Sequence, residues 1–237
     1  MADSSSKGAD NSQAGFSAEM AQARQRLHAV SNMALQQFEQ AVNAYQSNDR
    51  RQAQQVLNQL QRAQDFEVVM DDHCLDMLSH TSSDRDLRLV LALLKAISDI
   101  EQICNQNVQI AQQALLNSAN TPTAKQMTAI ATLAEPVGRM LALALTALQQ
   151  QSAVLAEQAI SLAATVNRCY GAILRSNLTD NSDRAAQVDT ALGVNWAARA
   201  LERIAEHSTN LAQQAIFMSR VSSGQSSRVE LQPRRPR

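Results

Sequence analysis

The sequence has few of the residues that interrupt helices or favour sheets. Its 237 residues include 6 glycines and 4 prolines, and aromatic residues make up 3%. β-Sheets favour β-branched and aromatic side chains, whereas the abundant Ala, Gln and Leu are strong helix formers. Because apolar residues still make up 45% of the chain, as in ordinary globular proteins, the composition predicts a folded, all-α protein.

Cysteine is also scarce. Cys74, Cys104 and Cys169 are odd in number and far apart, and the sequence contains no Cys-x-x-Cys pair. This spacing indicates neither a disulfide framework nor a zinc finger. A Glu-x-x-His motif, a Gly-rich phosphate loop and a Ser/His/Asp or Cys/His constellation are missing as well. The sequence therefore predicts a protein that is not an enzyme.

Neither sign of charge dominates. The 21 basic and 22 acidic residues leave a net charge of −1, so nothing favours binding to nucleic acid. Residues 1–15 are rich in Ser, Gly and Asp and lack the apolar stretch of a signal peptide, and we expect them to be disordered. The longest apolar run, residues 140–148, is too short to cross a bilayer. We therefore expect a cytoplasmic protein.

Clusters of turn-forming residues divide the chain into six long predicted helices. Asp49 and Ser152 are placed to cap two of them, and residues 118–122 (Ser-Ala-Asn-Thr-Pro) form the strongest linker. Pro136 lies inside the fourth helix, where proline removes a hydrogen bond, and it predicts a kink or a later helix start. The predicted helices cover residues 17–46, 49–80, 83–117, 123–150, 152–177 and 183–221.

The two halves of the chain repeat one another. Residues 101–114 match residues 202–215 at an offset of 202 − 101 = 101, and residues 53–57 match residues 156–160 at an offset of 156 − 53 = 103. Both matches keep their order within each half, which favours internal duplication over a chance similarity of Ala/Gln-rich helices. The predicted units are two tandem three-helix bundles, residues 16–118 and 122–222, and a disordered basic tail, residues 223–237.

The repeated segments carry a recognisable pattern. Residues 85–90 read R-D-L-R-L-V and lead to D-I-E-Q-I at residues 99–103. The second half has A-A-R-A-L-E-R-I at residues 197–204, followed by N-L-A at residues 210–212. This resembles the PhoU family, in which R-D-L-R-x-V runs into D-L-E-R-I-G-D and then N-I-A-E. Residues 67–72 fit as well, and the resemblance covers nearly the whole chain.

The PhoU resemblance implies a fold and a role. It implies two three-helix bundles in a cytoplasmic protein that couples a phosphate ABC transporter to a membrane sensor kinase and restrains phosphate uptake. The implied partners are the ATP-binding subunit of that transporter and the kinase. The protein would contact the membrane only through these partners. A homodimer is expected too, because two-fold association is the commonest form of oligomer.

The PhoU resemblance also implies an acidic, metal-binding cluster in each bundle. In the family, carboxylates at positions i and i+4 of adjacent helices supply oxygen ligands for multinuclear metal sites. Three of the eight aligned positions in this chain are carboxylates, and Glu101, Glu202 and Glu206 are therefore the candidate metal ligands. The aligned positions are Leu60, Gln64, Glu101 and Asn105 in the first bundle and Ala163, Asn167, Glu202 and Glu206 in the second.

Carboxylate sets as incomplete as these predict that the protein binds little metal. We expect none in the first bundle, at most a weakly bound divalent metal or iron ion in the second, and no other cofactor. The alternative for Glu101, which interrupts an apolar stripe, is a hydrogen bond to a neighbouring Gln. The alternative for Glu202 and Glu206 is a solvated pair neutralised by Arg199 and Arg203.

Regulation by contact is the leading functional hypothesis. Long amphipathic helices and a small-residue stripe suit the docking of partner helices, and Trp196 is interpreted as a packing residue. Two alternatives remain open: a PhoU-like paralogue without a phosphate role, and a metal-binding bundle with redox or storage activity. The small-residue stripe consists of Ala198, Ala205 and Ala212.

Overall fold

A computed structural model describes the backbone of residues 3–81, 83–117, 122–180 and 185–224. Within these residues the chain is helical and contains no strand, which confirms the predicted all-α class. Side chains are described for residues 15–81, 83–117, 122–177 and 189–224. The helices are α1 (Asp3–Ser47), α2 (Arg50–Asn58), α3 (Leu60–Ser79), α4 (Asp84–Leu116), α5 (Ala124–Gln150), α6 (Ala153–Ser161), α7 (Ala163–Asp180) and α8 (Ala185–Ser222).

The six predicted helices are present, but the second and the fifth are each interrupted once. The breaks fall at Gln59 and Leu162, which are 162 − 59 = 103 residues apart. The N-caps of α2 and α6, Asp49 and Ser152, are separated by the same 152 − 49 = 103 residues. A shared interruption and a shared cap at the offset of the sequence repeat support the predicted duplication.

Two predicted helix starts differ from the structure. α1 begins at Asp3, whereas we predicted disorder over residues 1–15 and a start at Ser17. No proline interrupts residues 3–47, and extending an existing helix costs far less than nucleating one. α5 begins at Ala124 with a capping box between Thr123 and Gln126, so a late start at Pro136 is wrong. The predicted basic tail lies outside the described residues from residue 225 onward.

The two bundles share one continuous core. In each bundle the interrupted helix packs against the outer two: α2 and α3 against α1 and α4, and α6 and α7 against α5 and α8. The bundles meet through α4 on α8 and α1 on α5. α4 and α8 are antiparallel, since Arg85 Nη2 donates to the Ser222 carbonyl at 3.2 Å while Gly193 lies beside Gln113.

One helix is apolar enough to resemble a membrane span. Among the described residues, α5 alone meets the length and composition of a spanning helix, and half of its most apolar window is buried inside the protein. It packs against α1, α6, α7 and α8. Its apolarity is therefore accounted for by its place in the core.

A glycine sets the distance between α1 and α5. A Cβ atom added at Gly138 would lie 2.8 Å from Cε1 of Phe38, closer than real Cβ contacts. The Phe38 side chain is buried, so the ring has little room to move away. Glycine at this position allows the aromatic ring of α1 to lie directly on the α5 backbone.

We predict that Gly138→Ala lowers the free energy of unfolding by about 1–3 kcal/mol, because overpacking outweighs the gain in helix propensity. Denaturant titration measures this. Gly15→Ala is the matched control: a Cβ there meets nothing within 4 Å, so it should stabilise by about 0.5–1 kcal/mol. Equal stabilisation by both variants would contradict the close approach.

Candidate functional site

The first acidic cluster is centred on Glu101 of α4, which is only 8% exposed. Its Oε1 accepts a hydrogen bond from Asn105 Nδ2 at 2.7 Å, and its Oε2 accepts one from Gln102 Nε2 at 2.8 Å. A buried carboxylate requires such partners. The structure therefore supports the hydrogen-bonded alternative for Glu101, with two side-chain amides as its donors.

The carboxylate of Glu67 on α3 lies near Glu101, and Asp71 follows four residues later on α3. Burial raises the pKa of Glu67, and the charges of Glu101 and Asp71 raise this pKa further. The positions aligned with the family pattern, Leu60 and Gln64, lie earlier on the same helix. Glu67 and Asp71 are additional carboxylates of α3, within the segment 67–72 that carries part of the family resemblance.

The second acidic cluster lies on α8. Arg199 Nη1 pairs with Glu202 Oε2, and Arg203 Nη1 lies 3.4 Å from Glu206 Oε2. Burial raises the pKa of Glu202, Glu206 raises it further, and Arg199 and Arg203 oppose this shift. These contacts support the alternative in which two arginines neutralise the pair.

The duplication relates the residues of the two clusters. At an offset of 103, Glu67 and Asp71 of α3 correspond to Tyr170 and Leu174 of α7. At an offset of 101, Glu101 and Asn105 of α4 correspond to Glu202 and Glu206 of α8. The carboxylates of α3 thus have no acidic counterpart on α7, whereas Asn105 has the acidic counterpart Glu206.

The arrangement of these side chains does not fit a multinuclear metal site. Among the described residues, no group of three His, Cys, Asp or Glu side chains is placed to hold a metal ion. Amide groups occupy both oxygens of Glu101, and guanidinium groups lie against Glu202 and Glu206. A metal ion would have to displace these contacts.

Another polar contact joins the two bundles. His207 Nδ1 of α8 lies 2.8 Å from Asp99 Oδ1 of α4, and Asn210 Nδ2 donates to the same oxygen at 3.0 Å. His207 thus lies beside a carboxylate at the α4–α8 interface.

The cysteines offer no reactive thiolate in the core. Burial raises the pKa of Cys74 to about 11, with a smaller contribution from Asp71, and the pKa of Cys104 to about 12, with a smaller contribution from Glu101. Both thiols therefore stay protonated at neutral pH, and the thiolate is the nucleophilic form.

The structure reverses two expectations about the helix surfaces. The Ala198, Ala205 and Ala212 stripe is buried in the core, because this face of α8 packs inside the protein, so it offers no docking surface. Trp196, interpreted as a packing residue, is 58% exposed. It shares one face of α8 with exposed Leu192, four residues earlier. We call Leu192 and Trp196 the Trp196 patch.

The fold and the paired clusters define a duplicated helical-bundle protein with one acidic cluster in each repeat. The family model of the PhoU domain matches the chain twice, over residues 27–114 and 130–215, once in each bundle. The chain therefore belongs to the PhoU family, as its sequence pattern indicated.

Relatives match along most of their length. The phosphate-specific transport system accessory protein PhoU homolog of Pseudomonas aeruginosa is 28% identical over 206 residues, covering 86% of this chain and 85% of that protein. The homolog from Aquifex aeolicus is 25% identical over 202 residues, covering 85% and 91%. Both bundles are thus included in each match.

Solved structures share the architecture. The crystal structure of PhoU from Pseudomonas aeruginosa superposes with a TM-score of 0.83 at 28% identity, covering 86% of this chain and 99% of that one. The PhoU structure from Streptococcus pneumoniae, at 19% identity, gives a TM-score of 0.78 and covers 88% and 97%. The latter similarity supports the fold alone.

We predict that Glu67→Gln raises the thermal midpoint by a few degrees at pH 7. A carboxyl group whose pKa is raised on folding reduces stability as the pH rises past its ordinary pKa. The difference from the unmodified protein should therefore shrink below about pH 4, where both states are protonated. Melting curves across pH measure this. Glu157→Gln, at an exposed position of α6, should shift the midpoint little, and a pH-independent effect of Glu67→Gln would contradict the electrostatic origin.

Proposed function

We propose that this chain is a non-enzymatic regulator of phosphate uptake and of phosphate-starvation signalling in the cytoplasm. The single observation that carries the proposal is the match across both bundles to phosphate-specific transport system accessory proteins. It is supported by the close superposition on PhoU from Pseudomonas aeruginosa. The role follows from family membership, since no residue of the acidic clusters specifies phosphate.

Action by contact rather than by turnover is part of this proposal. Catalysis requires a positioned acid, base, nucleophile or ion. The carboxylates of Glu101, Glu202 and Glu206 are paired with amide or guanidinium groups, and the two buried thiols are protonated. The side chains available for partners are those of the outer helix surfaces.

The proposed partners are the ATP-binding subunit of the phosphate ABC transporter and the phosphate sensor kinase. The Trp196 patch is the surface we propose for one of them. Exposed aromatic side chains with apolar neighbours are typical anchors of protein interfaces. Contact with the membrane would then be indirect, through these partners.

Deleting the gene tests the function. We expect phosphate-starvation genes to become active in phosphate-replete medium, with transcript levels and phosphate uptake as the measurements. Unchanged transcripts and unchanged uptake would favour the alternative of a PhoU-like paralogue without a phosphate role. The complementing gene restores repression if the phenotype comes from the deletion itself.

Complementation with variants tests the roles of the Trp196 patch and of the acidic clusters separately. Trp196→Asp should fail to restore repression, because a charge at the centre of an apolar contact is costly. Val154→Asp is the matched control, since Val154 is 65% exposed on α6. The Glu202→Ala/Glu206→Ala double variant should still complement, because we assign these residues no required metal role. A folded double variant that cannot complement would show that the second cluster matters.

We propose that the protein forms a homodimer. Two-fold association is the commonest arrangement among soluble oligomers. Light scattering at micromolar concentration should give about twice the chain mass of 25.8 kDa. A species of the chain mass alone would contradict the dimer without affecting the regulatory role.

A further inference from the structure

One face of α3 combines exposed apolar residues with negative charge. Val68, Val69 and Leu75 are each more than half exposed, and residues 65–76 contain five carboxylates and neither Lys nor Arg. Residues three, four or seven positions apart lie on the same side of a helix. We call the exposed residues of this side the acidic ridge, which consists of Asp65, Val68, Val69, Asp72, Leu75 and Asp76.

The corresponding helix of the second repeat carries the opposite charge. Asp65 and Asp72 of α3 correspond to Arg168 and Arg175 of α7, since 168 − 65 = 103 and 175 − 72 = 103. Both arginines are exposed, and residues 163–177 contain neither Asp nor Glu. The two repeats thus present opposite charges at equivalent positions.

A cavity lies beside these arginines. It has a volume of about 260 Å³, and its lining includes Cys169 and Ala172 of α7 and Lys125 of α5. Ala172 is exposed, and it shares a side of α7 with Arg168 and Arg175, which are four and three residues away. We call this surface the basic groove, which consists of Lys125, Arg168, Cys169, Ala172 and Arg175.

Small side chains on α7 account for this cavity. At the offset of 103, Cys169 and Ala172 occupy the positions that Phe66 and Val69 occupy in the first repeat. Phe66 packs against the hydrophobic core, and Val69 projects from the surface of α3. The second repeat therefore has a recess where the first repeat has a projection.

We propose that the acidic ridge of one copy of the chain docks in the basic groove of a second copy. This inference rests on the homodimer proposed above and deepens it, because it names the two surfaces that make the contact. It does not depend on the regulation of phosphate uptake.

The spacing of the charges fits this contact. Asp65 and Asp72 are seven residues apart, as are Arg168 and Arg175, so each pair spans about 10 Å along its helix. Two ion pairs can therefore form at once between helices that lie side by side. Between its two carboxylates the ridge carries Val69, an apolar projection that faces the recess of the groove.

The charges also select among the possible contacts between copies. Two acidic ridges would bring carboxylates together, and two basic grooves would bring cations together; like charges placed opposite one another weaken an interface. A ridge against a groove satisfies both. Since every copy of the chain carries both surfaces, a second copy supplies the complementary face without any further protein.

The experiment exchanges the charges. Asp72→Arg and Arg175→Asp should each weaken self-association about tenfold or more, because each places like charges opposite one another. Mixing the two variants in equal amounts should restore the association of the unmodified protein, since the reversed ridge of one then faces the reversed groove of the other. Sedimentation velocity over a range of concentrations measures this.

Glu39→Arg is the matched control. Glu39 is exposed on α1 and belongs to neither surface, and its reversal changes the charge of the protein as much as Asp72→Arg does. Self-association should therefore be unaltered. Circular dichroism establishes that each variant is folded, and added salt should weaken the association of the unmodified protein.

Cross-linking locates the contact. Under mild oxidation, Val69→Cys should form a disulfide with Cys169 of a second copy, which requires the two Cα atoms to lie within about 7 Å. Cys74 and Cys104 are buried and should not react. The same variant carrying Cys169→Ser should give no cross-linked dimer on a denaturing gel.

The outcomes that would overturn the inference are distinct. An unmodified protein that keeps the chain mass would remove the homodimer as well. Charge variants that associate normally, or a mixture that does not recover, would leave the homodimer in place and assign it to another surface. If Asp72→Arg keeps normal self-association but fails to complement the gene deletion, the ridge binds a different protein.

Discussion

The antiparallel packing of α4 on α8 fixes the arrangement of both bundles. Paired residues along this interface have numbers with a nearly constant sum: Arg85 and Ser222 give 85 + 222 = 307, and Asp99 and His207 give 99 + 207 = 306. Residues that correspond in the two repeats of these helices differ by 101 in number. The point about which the two repeats are related therefore lies between Ile103 and Ile204, since 204 − 103 = 101 and 103 + 204 = 307. Both isoleucines are fully buried, so the point about which the two repeats are related lies inside the core.

This geometry also locates the acidic clusters. Glu101 and Glu202 are each two residues before the central isoleucines, so both clusters lie near the middle of the interface helices and not at their ends. On α4, Glu101 is buried and lies near Glu67 of α3, whereas Asp99 lies on the α8 side, where it accepts from Asn210 and contacts His207. Helix packing buries Glu101 and most of the Glu202 side chain, and both carboxylates find their partners on their own helix.

The sequence predicted the positions of the helices better than it predicted which helix faces are buried and which residues lie opposite one another. Turn residues and caps such as Asp49 and Ser152 mark boundaries by local chemistry, and the offsets of 101 and 103 revealed the duplication. The breaks at Gln59 and Leu162 have neither glycine nor proline to signal them, so they depend on tertiary packing. Glu67 was not singled out, because the family pattern pointed to Leu60 and Gln64 on the same helix, and the proximity of Glu67 to Glu101 depends on how α3 packs against α4.

The same limit explains the error over the exposed surface. α8 carries apolar or small residues on several sides, so periodicity alone did not reveal that the Ala198 stripe is buried and Trp196 exposed. The packing of the two bundles does not depend on the charge of the clusters. Asn105, Tyr170 and Leu174 are only partly buried, and none of them is among the buried residues of α4 and α8 that join the bundles. The apolar core of α4 and α8 therefore fixes the fold, and the cluster residues can differ between the two repeats without altering it.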